Sequence, residues 1–215
     1  MEGLPFSQSC ENNKGPILAH LQRLLVDCDK VLELAAGTGQ HASWFATHLP
    51  HLIWQPSDLH RNLPTLAPRC AIHEGGNLLP PLALDVCQHP WPVAVPAAVF
   101  TANSFHIMPF AAVAQCFSEL GRRAQPGTLL CVYGPFNYGG RYTSDSNARF
   151  DQWLAAQHTD SAIRDFEAVN ELAQQAGFAL LEDNPMPANN RLLVWKRGFC
   201  TNPILGCADT AQTAR

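Results

Sequence analysis

No stretch of this 215-residue chain is apolar for long enough to span a bilayer, and residues 1–8 lack the basic start and apolar middle of a secretory signal. The expected location is cytoplasmic, with no membrane partner. A basic excess is missing too: the formal net charge is −4, which gives no electrostatic footprint for a long nucleic acid. Charged residues are scarce, at 15% against 47% hydrophobic, and that balance argues for one folded domain large enough to bury a core. The cysteines (Cys10, Cys28, Cys70, Cys87, Cys116, Cys131, Cys200 and Cys207) form no C-x-x-C pair and fit small buried apolar roles better than a disulfide framework. No zinc spacing, H-E-x-x-H run, serine nucleophile elbow or P-loop lysine occurs, so these chemistries lack support and no metal is expected. His41, His48 and His51 are expected as surface or capping residues.

What is present is alternation of short apolar runs with amphipathic segments. Val31–Ala35 reads as a buried strand that enters a tight turn, Ala36-Gly37-Thr38-Gly39, followed by a helix over His41–His48. Further strands are predicted at Leu52–Gln55, Leu82–Val86, Ala97–Ala102, Gly127–Tyr133, Phe178–Leu181 and Leu192–Trp195, with Pro56 arguing against a longer second strand. Helices are predicted over Pro16–Leu25 after an irregular Phe6–Asn13, over Phe110–Leu120, after a Ser146 cap, and from an Asp165 cap to Gly177. Leu59–Pro81 is compatible with a long loop or a poor helix.

This alternation predicts an α/β fold: a doubly wound, mostly parallel seven-stranded sheet with helices on both faces. The connection Glu182–Arg191 is too short for a crossover helix, so the last strand should be antiparallel. The expected organisation is an N-terminal cap segment and helix over 1–29, the α/β domain over 30–198 and a peripheral tail over 199–215.

A glycine turn between a strand and a helix can bring backbone donors close to a nucleotide-like cofactor. A dinucleotide is one occupant, and Asp58 stands at the right distance for its ribose, but the third spaced glycine of G-x-G-x-x-G is absent. Ionised carboxylates accept without donating, so Asp58 and Asp85 suit hydroxyl or amino protons, and Glu33 suits a cationic amino group. The structural alternatives are a salt bridge for Glu33, caps or strand-end turns for the two aspartates, and backbone capping for Asn103.

The run Glu33-Leu34-Ala35-Ala36-Gly37-Thr38-Gly39 resembles the first motif of class I S-adenosylmethionine-dependent methyltransferases, acid-x-Gly-x-Gly-x-Gly, with Ala35 in place of the first glycine. Over almost the whole chain the sequence also resembles the methyltransferase-like 26 proteins, also called the domain of unknown function 938 family. That likeness is carried by Glu11–Leu18, Leu34–Ala42, Trp54–Asp58, Leu84–Val86, Tyr133–Phe136, Thr143–Asn147 and Met186–Asn190. The resemblance implies S-adenosyl-L-methionine as cofactor. It places Glu33 near the amino group, Ala35, Gly37, Gly39 and Gln40 around the methionine portion, and Asp58 on the ribose hydroxyls. Asp85 would read the adenine amino group, Val86 would supply a backbone donor or an apolar wall, and Asn103 would lie nearest the reacting centre.

A small-molecule methyl acceptor would sit where the exits of the fourth and fifth strands meet the last connection, with Glu11–Lys14 covering the opening. His106 is the candidate neutral-pH base, or alternatively a histidine of the wall. Tyr133 and Asn137 are further catalytic candidates. Asn13, Lys14, Phe105, Tyr138, Arg141, Tyr142, Asn189 and Asn190 are candidate substrate contacts by hydroxyl, amide, cationic or aromatic groups. The expected function is methyl transfer to a small molecule. A catalytically silent cofactor-binding or protein-interaction module on the same fold is the alternative, and nicotinamide binding a weaker one; the oligomeric state is left open.

Overall fold

A computed structural model describes residues 3–198. The tail predicted at 199–215, with Cys200 and Cys207, lies outside the described residues. The chain runs α1 (Gln8–Leu24), β1 (Lys30–Leu34), α2 (Gln40–His48), β2 (Ile53–Asp58), α3 (Leu63–Ala71), β3 (Leu82–Ala83), β4 (Ala98–Ala102) and α4 (Phe110–Arg123). It continues through β5 (Leu129–Gly134), β6 (Phe136–Asn137), α5 (Asp145–Gln157), β7 (Arg164–Asp165), α6 (Phe166–Gln175), β8 (Phe178–Met186) and β9 (Asn190–Arg197).

Seven strands form one sheet in the order β3-β2-β1-β4-β5-β9-β8. β9 is antiparallel to both of its neighbours, and the other pairings are parallel. The antiparallel finish follows from the short connection, since three residues of 3₁₀ turn separate β8 from β9. Strand order reverses between β1 and β4, which makes their carboxyl ends the switch point of the sheet.

Each central strand is buried on both sides. Val31 and Cys131 face a core closed by α1, α2 and α3, built on Ile17, Leu21, Phe45 and Leu66. Leu32 and Val132 face a second core closed by α4 and α6, with Val113, Phe117, Leu120 and Val169. In α4 the spacing of Val113, Phe117 and Leu120 puts one apolar stripe on the sheet, as the sequence predicts, and Cys116 joins it.

Several boundaries differ from the sequence expectation. α1 begins at Gln8, so 8–13 is helical, because Ser7 accepts the Cys10 N–H at 3.4 Å and caps the helix. β2 runs through Pro56 to Asp58. Trp54 N–H bonds the Asn77 carbonyl and Leu84 N–H the Asp58 carbonyl, both at 2.8 Å, so this parity of residues faces outward from β2. Pro56 therefore faces the short β3 side, and its missing N–H leaves the β1 pairing intact. The ambiguous 59–81 stretch contains α3.

β3 ends at Ala83, leaving Asp85 and Val86 in a turn. Ser144, two residues before the expected Ser146, caps α5 by accepting the Asn147 N–H at 3.1 Å. β8 and β9 extend beyond their apolar centres because the hairpin pairs polar residues as far as Met186 with Asn190. The β6–β7 ribbon is an addition that the sequence pattern did not show.

Candidate functional site

The turn after β1 winds through positive φ at Ala35 (55°), Gly37 (58°) and Gly39 (73°). Ala35 adopts the backbone that glycine takes readily, at a cost of about 1–2 kcal/mol for a residue with a Cβ. The glycines have different duties. A Cβ on Gly37 would meet nothing within 4 Å, so the loop is open there, whereas one on Gly39 would lie 2.8 Å from Leu66 Cδ1 and force that buried side chain to shift.

Asp58 closes the loop from the end of β2. Its Oδ2 accepts the Gly37 N–H at 2.8 Å, and its Oδ1 accepts the Leu59 N–H and the Asn62 side-chain N–H, each at 2.7 Å. Three bonds leave one acceptor position of the carboxylate, on the oxygen that touches the glycine loop. Asp85 is exposed in the turn after β3, where its Oδ1 accepts the Cys87 N–H at 2.9 Å, and the Val86 carbonyl accepts from the Trp91 indole. Asn103, at φ 55°, leaves β4 with its N–H on the Tyr133 carbonyl at 2.9 Å.

Glu33 stands in β1, one residue before its end. It is 2% exposed and accepts the Trp54 indole N–H at 2.6 Å. Burial, opposed by that bond and reinforced by Asp58, pushes its carboxyl up to about 8. The capping reading of the histidines fails at His41, which is buried, stacks on Phe45 at 5.4 Å and bonds Asn13 Oδ1 at 2.6 Å. Burial brings His41 down to about 4.

The first turns of α1 strap the loop. Gln40 Oε1 accepts the Ser7 N–H and the Thr38 hydroxyl, and Gln40 Nε2 reaches Glu11. Arg69 donates to the carbonyls of Thr38 and Pro5 at once, joining α3, the loop and the segment before α1. Arg69→Ala is expected to loosen this strap. Amide exchange over residues 5–12 should accelerate about tenfold or more while α4 is unaffected, and unchanged exchange there would count against the clamp.

At the β5 tip, Tyr133 is buried in the core that α1 closes, and burial pushes the proton loss of its hydroxyl up. His106 packs at the next residue: a Cβ on Gly134 would lie 3.5 Å from its Nδ1, and Phe150 meets the ring edge-on at 5.4 Å. Burial, and to a lesser degree the charge of Arg164, brings His106 down to about 4, so its ring is neutral at pH 7.

Other expected substrate contacts are committed elsewhere. Lys14 pairs with Glu11 and lies over the Trp44 ring at 4.1 Å, lining a cavity of about 320 Å³ between α1 and the outer side of α2. Phe105 is core against Phe117. Tyr138 donates to Asp183 at 2.8 Å and stacks on Phe166, and exposed Tyr142 donates to Asp151 at 2.7 Å. Arg141 is exposed in the turn that pairs it with Tyr138. Asn189 reaches Ser146, while Asn137 has a buried Oδ1 without a partner. The strand tips therefore gather the loop, Asp58, Asn103, Asn13, Tyr133, Asn190 and His106, and leave out Lys14, Tyr138, Arg141 and Tyr142.

Trp54, Asn62, Arg69, Phe150 and Arg164 were not anticipated as site residues. Asn62 and Arg69 fall in the illegible 59–81 stretch, Trp54 lies in a stretch that carries the family likeness but has no assigned role, and Phe150 and Arg164 carry no motif. Among the described residues no group of three or more His, Cys, Asp or Glu is placed to hold a metal, and no helix is long and apolar enough to cross a membrane.

The fold is shared with solved methyltransferases at low identity. An O-methyltransferase family protein from Burkholderia thailandensis is 15% identical, with TM-score 0.75 over 86% of this chain and 56% of that one. Human N-acetylserotonin methyltransferase, solved in complex with SAM, is 14% identical, with TM-score 0.76 over 89% of this chain and 53% of that one. A mitomycin 7-O-methyltransferase is 13% identical, with TM-score 0.77 over 88% of this chain and 54% of that one. The chain thus spans little more than half the length of each of these proteins. A family model matches residues 4–197, and the chain belongs to that family, DUF938, described as proteins of unknown function.

Proposed function

We propose that this chain binds S-adenosylmethionine across the tips of β1, β2 and β4 and transfers its methyl group to a small molecule, as a methyltransferase-like 26 member of its family. The observation that carries the reading is the Asp58 carboxylate, bound to the Gly37 N–H at 2.8 Å at the switch point of the sheet with an acceptor position free. A ribose supplies hydroxyl donors for such a group, and Gly37 leaves room for the ligand to approach the backbone. Exposed Asp85 suits the adenine amino group, with Val86 as the apolar wall, and Asn103 faces the methionine portion. Ala35, Gly37, Gly39 and Gln40 form the loop around it, with Glu33 as the acid near the cofactor's amino group. The cofactor supplies an electrophilic methyl on a sulfonium, and the protein aligns the acceptor behind it.

Calorimetric titration of the full chain tests this. S-adenosylmethionine and S-adenosylhomocysteine should each bind at one site, and nicotinamide dinucleotide should give no heat. Absence of binding by both sulfur ligands would remove the reading, and binding without any methylated product would favour a catalytically silent module.

A further inference from the structure

We infer that the buried hydroxyls of Thr101 and Ser104 are positioning groups for the cofactor: they hold the two left-handed turns that flank the switch point, at Ala35 and Asn103, in one geometry. The inference rests on the cofactor-binding half of the reading above.

Among the described residues four other than glycine take positive φ, and two of them, Ala35 and Asn103, both at 55°, come directly after the last residues of β1 and β4. Such backbone is costly for a residue with a Cβ and persists where the surrounding structure over-determines it. The glycine turn is held from the β2 side by Ser57, whose buried hydroxyl donates to the Glu33 carbonyl at 2.7 Å and whose carbonyl accepts the Ala36 N–H at 3.0 Å. From the β4 side it is held by Thr101, the register partner of Leu34. The Thr101 hydroxyl, equally buried, donates to the Leu34 carbonyl at 2.9 Å, one residue before Ala35.

The second turn joins through the same oxygen, since Thr101 Oγ1 and Ser104 Oγ are 2.6 Å apart. A hydroxyl carries a single hydrogen, and a carbonyl only accepts. The Thr101 hydrogen is therefore committed to Leu34, and the bond between the two hydroxyls uses the Ser104 hydrogen. The bonds run one way, from Ser104 to Thr101 to Leu34, and so from the exit of β4 to the exit of β1. They close the short bend from Thr101 to Ser104 in which Asn103 sits. The Asn103 N–H is held by the Tyr133 carbonyl at 2.9 Å, and the Ser104 carbonyl accepts the N–H groups of Ile107 and Met108, each at 3.0 Å. The backbone is thus secured at Asn103 and on both sides of it, while among the described residues its side chain forms no hydrogen bond.

Thr101 is 0% exposed and Ser104 6%, so both act through the turns they hold rather than by touching a ligand. A cofactor lying across the tips of β1 and β4 meets both turns. With the two already locked together, binding does not have to order either of them, and more of the contact energy appears as affinity.

The test compares the full native chain with three variants. Thr101→Val keeps the shape and deletes the shared hydroxyl, Thr101→Ser keeps the hydroxyl, and Ser104→Ala removes the outer bond while leaving Thr101 on Leu34. Urea denaturation first establishes which variants are folded under the measuring conditions. Amide exchange should then accelerate about tenfold at both Ala36 and Asn103 in Thr101→Val, at Asn103 alone in Ser104→Ala, and at neither in Thr101→Ser. By calorimetry the Kd for S-adenosylmethionine should rise about tenfold in Thr101→Val and about fivefold in Ser104→Ala, and stay within about twofold of native in Thr101→Ser. Hydroxyls that only support the fold would lower the urea midpoint and leave the folded variants with native affinity, and that result overturns the inference. Should Thr101→Val not fold, Ser104→Ala decides: native exchange at Asn103 or native affinity in that variant overturns the inference. A native chain that binds no S-adenosylmethionine removes the cofactor reading and this inference together, whereas native binding with undiminished variants removes the inference alone.

Discussion

Asp58→Ala is expected to weaken S-adenosylmethionine binding by about 100-fold or more, because hydrogen bonds to a charged acceptor contribute roughly 1.5–3 kcal/mol each and a ribose offers two. The carboxylate is already committed on three sides, to the N–H groups of Gly37 and Leu59 and to Asn62. One position on Oδ2 is open for the first hydroxyl, and the second would displace the Asn62 side chain, which is free to turn toward water. The same substitution strips Gly37 and Leu59 of their acceptor, so part of the loss would come from a loosened loop. Asp58→Asn keeps the size and the bonds of whichever side its one acceptor oxygen faces, but sets an NH2 against the donors of the other. It should loosen the loop less than Asp58→Ala and still bind at least about tenfold more weakly. Calorimetry on both variants checks this, and native affinity in Asp58→Ala would remove Asp58 from the ribose and, with it, the main support for the cofactor site.

The second large effect concerns stability. Glu33 titrates near 4.5 when free and near about 8 in the folded chain, mainly because burial disfavours its charged form. A carboxyl whose folded value is raised favours folding while it is protonated. That contribution is whole below about 4.5 and is lost as pH climbs through about 8. The native protein should therefore lose on the order of a few kcal/mol from this one group between acid and alkaline conditions. Glu33→Gln imitates the neutral acid and retains an oxygen for the Trp54 indole N–H, so it should match the native chain near pH 5 and exceed it near pH 9. Urea denaturation at the two pH values measures the gap, and a difference that did not change with pH would show that Glu33 is ionised in the folded state.

These two acids show how unevenly the site could be read. Both belong to recognisable stretches, Glu33 before the glycine turn and Asp58 at the exit of the second strand. Strand periodicity gives the parity of a residue but says nothing of what lies opposite it. Glu33 meets Trp54 from the neighbouring strand and is closed in, whereas Asp58 ends its strand and meets the loop. His41 was misread for the same reason, since neither Asn13 nor Phe100, which flank it, is near it in sequence. Lys14 and Tyr138 carry suitable chemistry, but the sequence does not show that Lys14 lies over Trp44 or that Tyr138 donates to Asp183.

By itself, the sequence determined what short-range geometry can dictate. Apolar runs separated by helical segments required a parallel sheet, two glycines after the first strand required a turn with left-handed backbone, and the short final connection required an antiparallel strand. Those outcomes depend on residues within a few positions of one another. Tertiary structure alone decided which acid is enclosed, that Arg69 ties the strap to the loop, and that His106 is buried beside Gly134 and Phe150. Desolvation and charge pairing arise from atoms brought together by folding from distant parts of the chain, and no local pattern in the sequence records them.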